Sequence, residues 1–189
     1  MNGNAKRNMS DNLDMPRRRS LRLKGYDYSQ AGVYFVTICA HGKVCLFGDV
    51  IGSEMKVNEL RRKVQAVWNG LPVHYPHVAT DAFVVMPNHV HGVIVIRAGL
   101  KPDHAERRAG LKPAPTARHG LSEIIRGFKT FSARMINEFR KTSGTPVWQR
   151  NYYEHIIRND ADYDRIAEYI DNNPQRWAED SLHPAFTQN

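Results

Sequence analysis

The chain has 189 residues, 41% of them hydrophobic, and a formal net charge of +8, with an isoelectric point near 9.7. That size suits one domain with a real core, and no stretch approaches the roughly 20 apolar residues that cross a bilayer. The basic, polar start does not read as a secretory leader, and Cys39 and Cys45 are the two cysteines, so the composition points to a reduced, cytoplasmic protein without disulfides.

Residues 1–24 read as a flexible basic arm, with Lys6, Arg7, Arg17, Arg18, Arg19, Arg22 and Lys24 against Asp11 and Asp14. Gly32 to Ala40 (GVYFVTICA) is β-branched and aromatic and reads as a strand. Lys43 to Ile51 is expected to pair with it or to cap it as a short hairpin. From Val57 to Leu71 the apolar residues Leu60, Val64, Val67, Trp68 and Leu71 recur at helical spacing. Val78 to Val85 and His89 to Ile96 read as two strands at the centre of a sheet, joined by the tight turn Met86-Pro87-Asn88.

Residues 98–119 break the pattern. Pro102, Pro113 and Pro115 fall there without hydrophobic periodicity, and Arg97-Ala98-Gly99-Leu100-Lys101-Pro102 recurs as Arg108-Ala109-Gly110-Leu111-Lys112-Pro113. This is a linker carrying a local duplication, too short for a solenoid unit. Its basic residues are either solvated or contacts to a polyanion. Leu121 to Arg140 returns to helical periodicity, with Arg126, Lys129, Arg134 and Arg140 on its polar side. Pro146 to Ile157 is aromatic and reads as extended. Asn159 to Asn173 is a last helix, capped by Asn159 or Asp160, acidic in its first turn and stopped by Pro174.

The order strand, helix, strand, strand, helix, strand, helix predicts an α+β fold. It is a ferredoxin-like (RRM-like) split β-α-β antiparallel sheet with helices on one face and an added C-terminal helix. The other face of the sheet is left to hold a site. Residues 25–178 form a single domain in this reading, with 179–189 as a tail.

Two features carry chemistry. In Met86-Pro87-Asn88-His89-Val90-His91-Gly92, the strand period of two turns His89 and His91 to the same face. Paired imidazoles there make either half of a divalent-metal site or two packed core histidines. On the last helix Tyr163, Ile166, Ala167 and Ile170 make the core stripe, and Tyr169 and Asn173, four residues apart, lie together on its flank. Spacing alone allows Tyr169 to be a packing tyrosine and Asn173 a C-cap, or both to look into one cleft. The clustered positive charge favours a phosphate backbone as partner.

Four segments together resemble the single-tyrosine HUH transposases, of the REP-associated tyrosine transposase type. They are LRLKGYDYSQAGVYFVTIC (21–39), FVVMPNHVHGVIVI (83–96), IIRGFKTFS (124–132) and WQRNYYEHIIRNDADYDRIAEYIDNNP (148–174). The resemblance implies metal ligation by His89, His91 and Asn173, with Tyr169 as nucleophile. The reaction implied is a metal-dependent nicking and joining of single-stranded or hairpin DNA (REP-like palindromes) through a 5′-phosphotyrosine, with Mg²⁺ or Mn²⁺ as cofactor and the protein acting as monomer or homodimer. Arg17, Arg18, Arg19, Arg22 and Lys129 are the expected DNA contacts, and Tyr26, Tyr28, Trp148, Tyr152 and Tyr153 either stack bases or pack in the core. The competing readings are a non-catalytic DNA-binding descendant, an HUH replication initiator and an RRM-like RNA binder; histidines where base-stacking aromatics belong argue against the last.

Overall fold

β1 (Gly32–Cys39) is the hub of the molecule. The computed structural model describes residues 30–51, 54–97 and 119–186. The arm 1–24, Tyr26, Tyr28 and nearly all of the linker 98–119 lie outside these residues. In chain order β1 is followed by a short hairpin, β2 (Gly48–Ile51) and β3 (Glu54–Val57), and by α1 (Glu59–Asn69) and the single turn α2 (Leu71–His74). Then come β4 (Val78–Val85), β5 (His89–Ile96), α3 (Leu121–Arg140), β6 (Tyr153–Ile157) and α4 (Asp160–Asn172).

Four strands form one sheet in the order β4-β5-β1-β6, with every pair antiparallel. Two split β-α-β units interlock to give this order. β5 lies between β1 and β4, the strands that α1 connects, and β1 lies between β5 and β6, which α3 connects. The ferredoxin-like expectation is met. Of the two alternatives for the segment after β1, the hairpin is the one formed: β2 pairs with β3 rather than with β1. Asn58 explains the later start of α1: its side chain accepts from the Arg61 N–H at 2.9 Å and donates to the Leu46 carbonyl at 3.1 Å, a cap that leaves Val57 in the preceding strand.

Alternation along β1 sorts the core into two layers. Tyr34, Val36 and Ile38, with Val90, Ile94 and Ile96 of β5, pack under Leu60, Val64 and Trp68 of α1 and Ile124, Phe128 and Ile136 of α3. On this face Trp68 stacks on Phe83 at 4.2 Å and lies so close to the β5 backbone that a Cβ at Gly92 would stand 2.4 Å from its ring. The glycine after the two histidines is therefore a packing requirement of the opposite face. The second face is covered as well. Phe35, Val84 and Val93 meet Ile166 and Ile170 of α4, then Met86 and Trp177. The helices α1 and α3 share one face as expected, but α4 and the chain after it roof the face that the sequence reading left open.

Candidate functional site

The register Thr37↔His91 and Cys39↔His89 puts these four side chains on the α4 side of the sheet. His89 is 0% exposed and His91 1%. Their Nε2 atoms lie 2.9 Å apart. Each ring is held from behind through Nδ1, His91 by the Thr37 hydroxyl at 2.8 Å and His89 by the Asn88 carboxamide oxygen at 2.8 Å. Phe35 stacks on His91 with a centroid separation of 5.4 Å.

α4 brings Tyr169 over this pair. Asn159 caps the helix by accepting from the Asp162 N–H at 2.9 Å. Its first turn is tied to β6 by His155 and Asp162 at 2.9 Å, and Tyr163 donates to Asp81 of β4 at 2.8 Å. One turn beyond the core residue Ile166, the Tyr169 hydroxyl stands 3.3 Å from His91 Nε2, with its ring edge-on to Phe35. Asn173 occupies the C-cap position and is also buried. Its Oδ1 has no hydrogen-bond partner among the described residues.

After Pro174 the chain turns back across the sheet and delivers a residue that the sequence reading had set aside in the tail. Asp180 Oδ2 lies 3.6 Å from His89 Nε2, and potential ligand atoms of His89, His91 and Asp180 all fall within 4.8 Å of one another. The sequence marks Asp180 only as the end of an acidic region that begins at Asp160. It sits in an irregular segment, where periodicity assigns no face.

Burial sets the electrostatics. It holds His89 well below the usual imidazole range, with His91 and Lys43 adding to the effect, and lowers His91 to about 3. Both rings are therefore neutral at physiological pH, the form that ligates metals. Burial also raises the Tyr169 hydroxyl, with Asp180 as second cause and Asn173 and Arg176 opposing. Asp180 is itself raised by burial, against the pull of the Leu182 N–H, Asn173, His183 and Lys43.

The residues fit a divalent cation. Two buried neutral imidazoles converge with Asp180 Oδ2 3.6 Å from His89 Nε2, and that oxygen and the buried Asn173 Oδ1 lack hydrogen-bond partners among the described residues. Unpartnered buried polar atoms cost free energy that an ion would offset. Mixed nitrogen and oxygen donors are compatible with Mg²⁺, Mn²⁺ or Zn²⁺.

The other sequence candidates take different places. Lys129 directs its ammonium to three successive carbonyls, those of Gln149 (2.9 Å), Arg150 (3.2 Å) and Asn151 (3.0 Å). It clamps the loop before β6. Trp148 is buried against Phe47 and donates to Ser132 Oγ at 2.9 Å, so it belongs to the core. Tyr153 packs edge-on to Phe35. The stretch read as extended from Pro146 forms a strand only over Tyr153–Ile157.

No family model matches the chain. It is 43% identical over 176 residues to a Haemophilus influenzae protein of uncharacterised function, covering 91% of this chain and 96% of that protein. A second H. influenzae protein, provisionally described as a REP-associated tyrosine transposase, is 25% identical over 148 residues, 78% of this chain and 73% of the relative. Among solved structures, a REP-associated tyrosine transposase bound to a REP hairpin matches with a TM-score of 0.46 and 19% identity, over 77% of this chain and 68% of that one. A provisionally described transposase from Deinococcus radiodurans matches with a TM-score of 0.45 and 16% identity, over 84% and 97% respectively. The chain belongs to the family of the 43%-identical H. influenzae protein, and its resemblance to the REP-associated tyrosine transposases is shared by the 25%-identical relative.

Proposed function

We propose that this protein is a metal-dependent single-strand DNA endonuclease and strand transferase acting on hairpin DNA, with Tyr169 as its nucleophile. The observation that carries the reading is the placement of the Tyr169 hydroxyl 3.3 Å from His91 Nε2, beside the cluster of His89, His91 and Asp180. A tyrosine poised over a potential cation site is the arrangement that phosphoryl transfer to an amino-acid side chain requires.

A divalent cation held by His89, His91 and Asp180, with Asn173 in reach of the same centre, would neutralise charge on a phosphate oxygen. The chain's own residues do the rest. Phe35 and Ile170 wall the site with apolar surface, which keeps water from competing with the hydroxyl. Burial keeps Tyr169 protonated at rest, and its proton passes to a non-bridging phosphate oxygen as its own oxygen forms the bond to phosphorus. The bond from phosphorus to the 3′ oxygen then breaks, and that oxygen takes up a proton. The products are a 5′-phosphotyrosine and a free 3′ hydroxyl. No water is consumed, and a second 3′ hydroxyl can reverse the step to join a new strand. Reach favours an unpaired strand as substrate, with Arg17, Arg18, Arg19 and Arg22 of the basic arm proposed as its phosphate contacts. Lys129 serves this interface indirectly, through the loop it clamps.

The test is a denaturing-gel adduct assay with labelled single-stranded hairpin DNA, in Mn²⁺ or in EDTA. A covalent band that needs both Mn²⁺ and Tyr169, and vanishes in Tyr169→Phe while native-gel binding persists, is the expected result. Binding without any band in the wild type would point instead to a DNA-binding protein without turnover. A band that survives Tyr169→Phe would remove Tyr169 from its role.

A further inference from the structure

We propose that Asn88 is a positioning residue that sets two members of this site at once, the tautomer of His89 and the orientation of Asp180. The proposal rests on the reading of His89, His91 and Asp180 as a cation site and assigns the part of the structure that organises it.

Asn88 is 1% exposed and sits in the turn between β4 and β5, directly before His89. Its carboxamide has two ends with different partners. Nδ2 donates to the carbonyl of Leu182 at 2.7 Å and to the carbonyl of Lys43 at 3.3 Å. Oδ1 faces His89 Nδ1 at 2.8 Å. Carbonyl oxygens only accept, so the amide has one orientation that satisfies all three contacts. Turned over, it would set its oxygen against two carbonyl oxygens. With Oδ1 fixed towards His89, the proton of that ring must lie on Nδ1. Nε2 then keeps its lone pair, directed at His91 Nε2 and towards Asp180 Oδ2. A ligand-competent imidazole is thereby specified by a neighbour that never approaches the ion.

The second effect runs through Leu182. Asn88 holds its carbonyl, while its N–H donates to Asp180 Oδ1 at 2.7 Å. The peptide groups of this segment are thus anchored on the sheet side by Asn88 and grip one carboxylate oxygen on the other. The remaining oxygen, Oδ2, is the one turned to His89. Asn88 is itself held in place, because its carbonyl accepts from the Ala40 N–H at 2.7 Å and that of Pro87 accepts from the Phe47 N–H at 2.9 Å. The turn between β4 and β5 is therefore a rigid bracket joining the end of β1, the histidine strand and the C-terminal segment.

Asn88→Ala and Asn88→Asp separate the two effects. Aspartate keeps an acceptor for His89 but opposes the Leu182 carbonyl with a second acceptor. Long-range ¹⁵N–¹H NMR of the metal-free protein reads the tautomer. Wild type and Asn88→Asp are expected to carry the His89 proton on Nδ1, and Asn88→Ala to move it to Nε2 or to a mixture. Mn²⁺ titration calorimetry reads the site. Asn88→Ala is expected to weaken binding about 10- to 100-fold, the usual cost of losing such a supporting contact. Asp180→Asn is expected to weaken Mn²⁺ binding in the wild-type background but to add little in Asn88→Asp, where the carboxylate has already lost its bracket. An unchanged His89 tautomer in folded Asn88→Ala, or fully additive effects of Asn88→Asp and Asp180→Asn, would overturn the proposal. Should Asn88→Ala not fold, the aspartate cycle decides it alone. A wild-type protein that binds no Mn²⁺ would overturn the proposed function, while the tautomer measurement would still judge the role of Asn88.

Discussion

His89 and His91 differ from ordinary core histidines in what stands behind and before them. Each has its Nδ1 engaged, by Asn88 and Thr37, and its Nε2 turned to a common point. Strand alternation made the pairing legible in the sequence. The candidate third ligand, an oxygen, was not legible, because a helix spacing of four singled out Asn173 whereas Asp180 reaches the pocket through an irregular turn. A carboxylate is the stronger partner for a hard cation, since it brings charge as well as an oxygen. Asp180→Asn is therefore expected to weaken Mn²⁺ binding by on the order of tenfold or more, and Asn173→Ala by less, as measured by titration calorimetry. An equal loss in both would return Asn173 to the first rank. On the opposite face the constraint is steric. Adding a methyl at Gly92 drives it into Trp68 and Phe83, so Gly92→Ala should cost about 1–3 kcal/mol in urea unfolding, without any change in a residue of the site itself.

At the scale of elements, the strands β1, β4 and β5 and the helices α1, α3 and α4 were readable because each carries its period over at least two turns or eight residues. What sequence could not supply was which face each element would use. β5 is apolar at nearly every position, the mark of a strand buried on both sides, and α4 duly covers the second face. The tyrosine helix is thus part of the core, carried by Ile166 and Ile170 and tied at its start by Asn159, Asp162 and Tyr163. Lys129, on the polar flank of α3, is a sequence candidate for a phosphate contact that the fold also gives an internal partner. Its ammonium closes the loop at 149–151. Lys129→Met should lower unfolding stability by about 1–2 kcal/mol, allowing for its partial exposure to solvent. The salt dependence of hairpin binding should stay as in wild type, whereas loss of a direct phosphate contact would reduce the slope by about one.

For the whole molecule, burying two neutral histidines ties stability to acidity. Burial lowers the folded pKa of His91 to about 3 from the ordinary imidazole value of 6.5, and His89 is shifted in the same direction. Between those two values the unfolded chain binds a proton that the folded chain refuses, so stability must fall as pH falls below about 6.5 and level off below the folded value. Each histidine contributes about 1.4 kcal/mol per pH unit within that window. Asp180 acts with the opposite sign, since its raised pKa lets the folded state take up a proton before the unfolded one does, and it softens the loss where its carboxyl titrates. Urea unfolding in EDTA should therefore give a plateau above pH 7 and a loss of about 2 kcal/mol per histidine by pH 5. Replacing His91 by glutamine should remove its share of the slope. Mn²⁺ at one hundred times its dissociation constant should add about 2.7 kcal/mol on the plateau, and that increment should itself vanish on acidification, because only neutral imidazoles ligate. A flat acid limb in EDTA would mean that the two rings are already protonated in the fold, which the 2.9 Å approach of their Nε2 atoms makes electrostatically untenable for the pair.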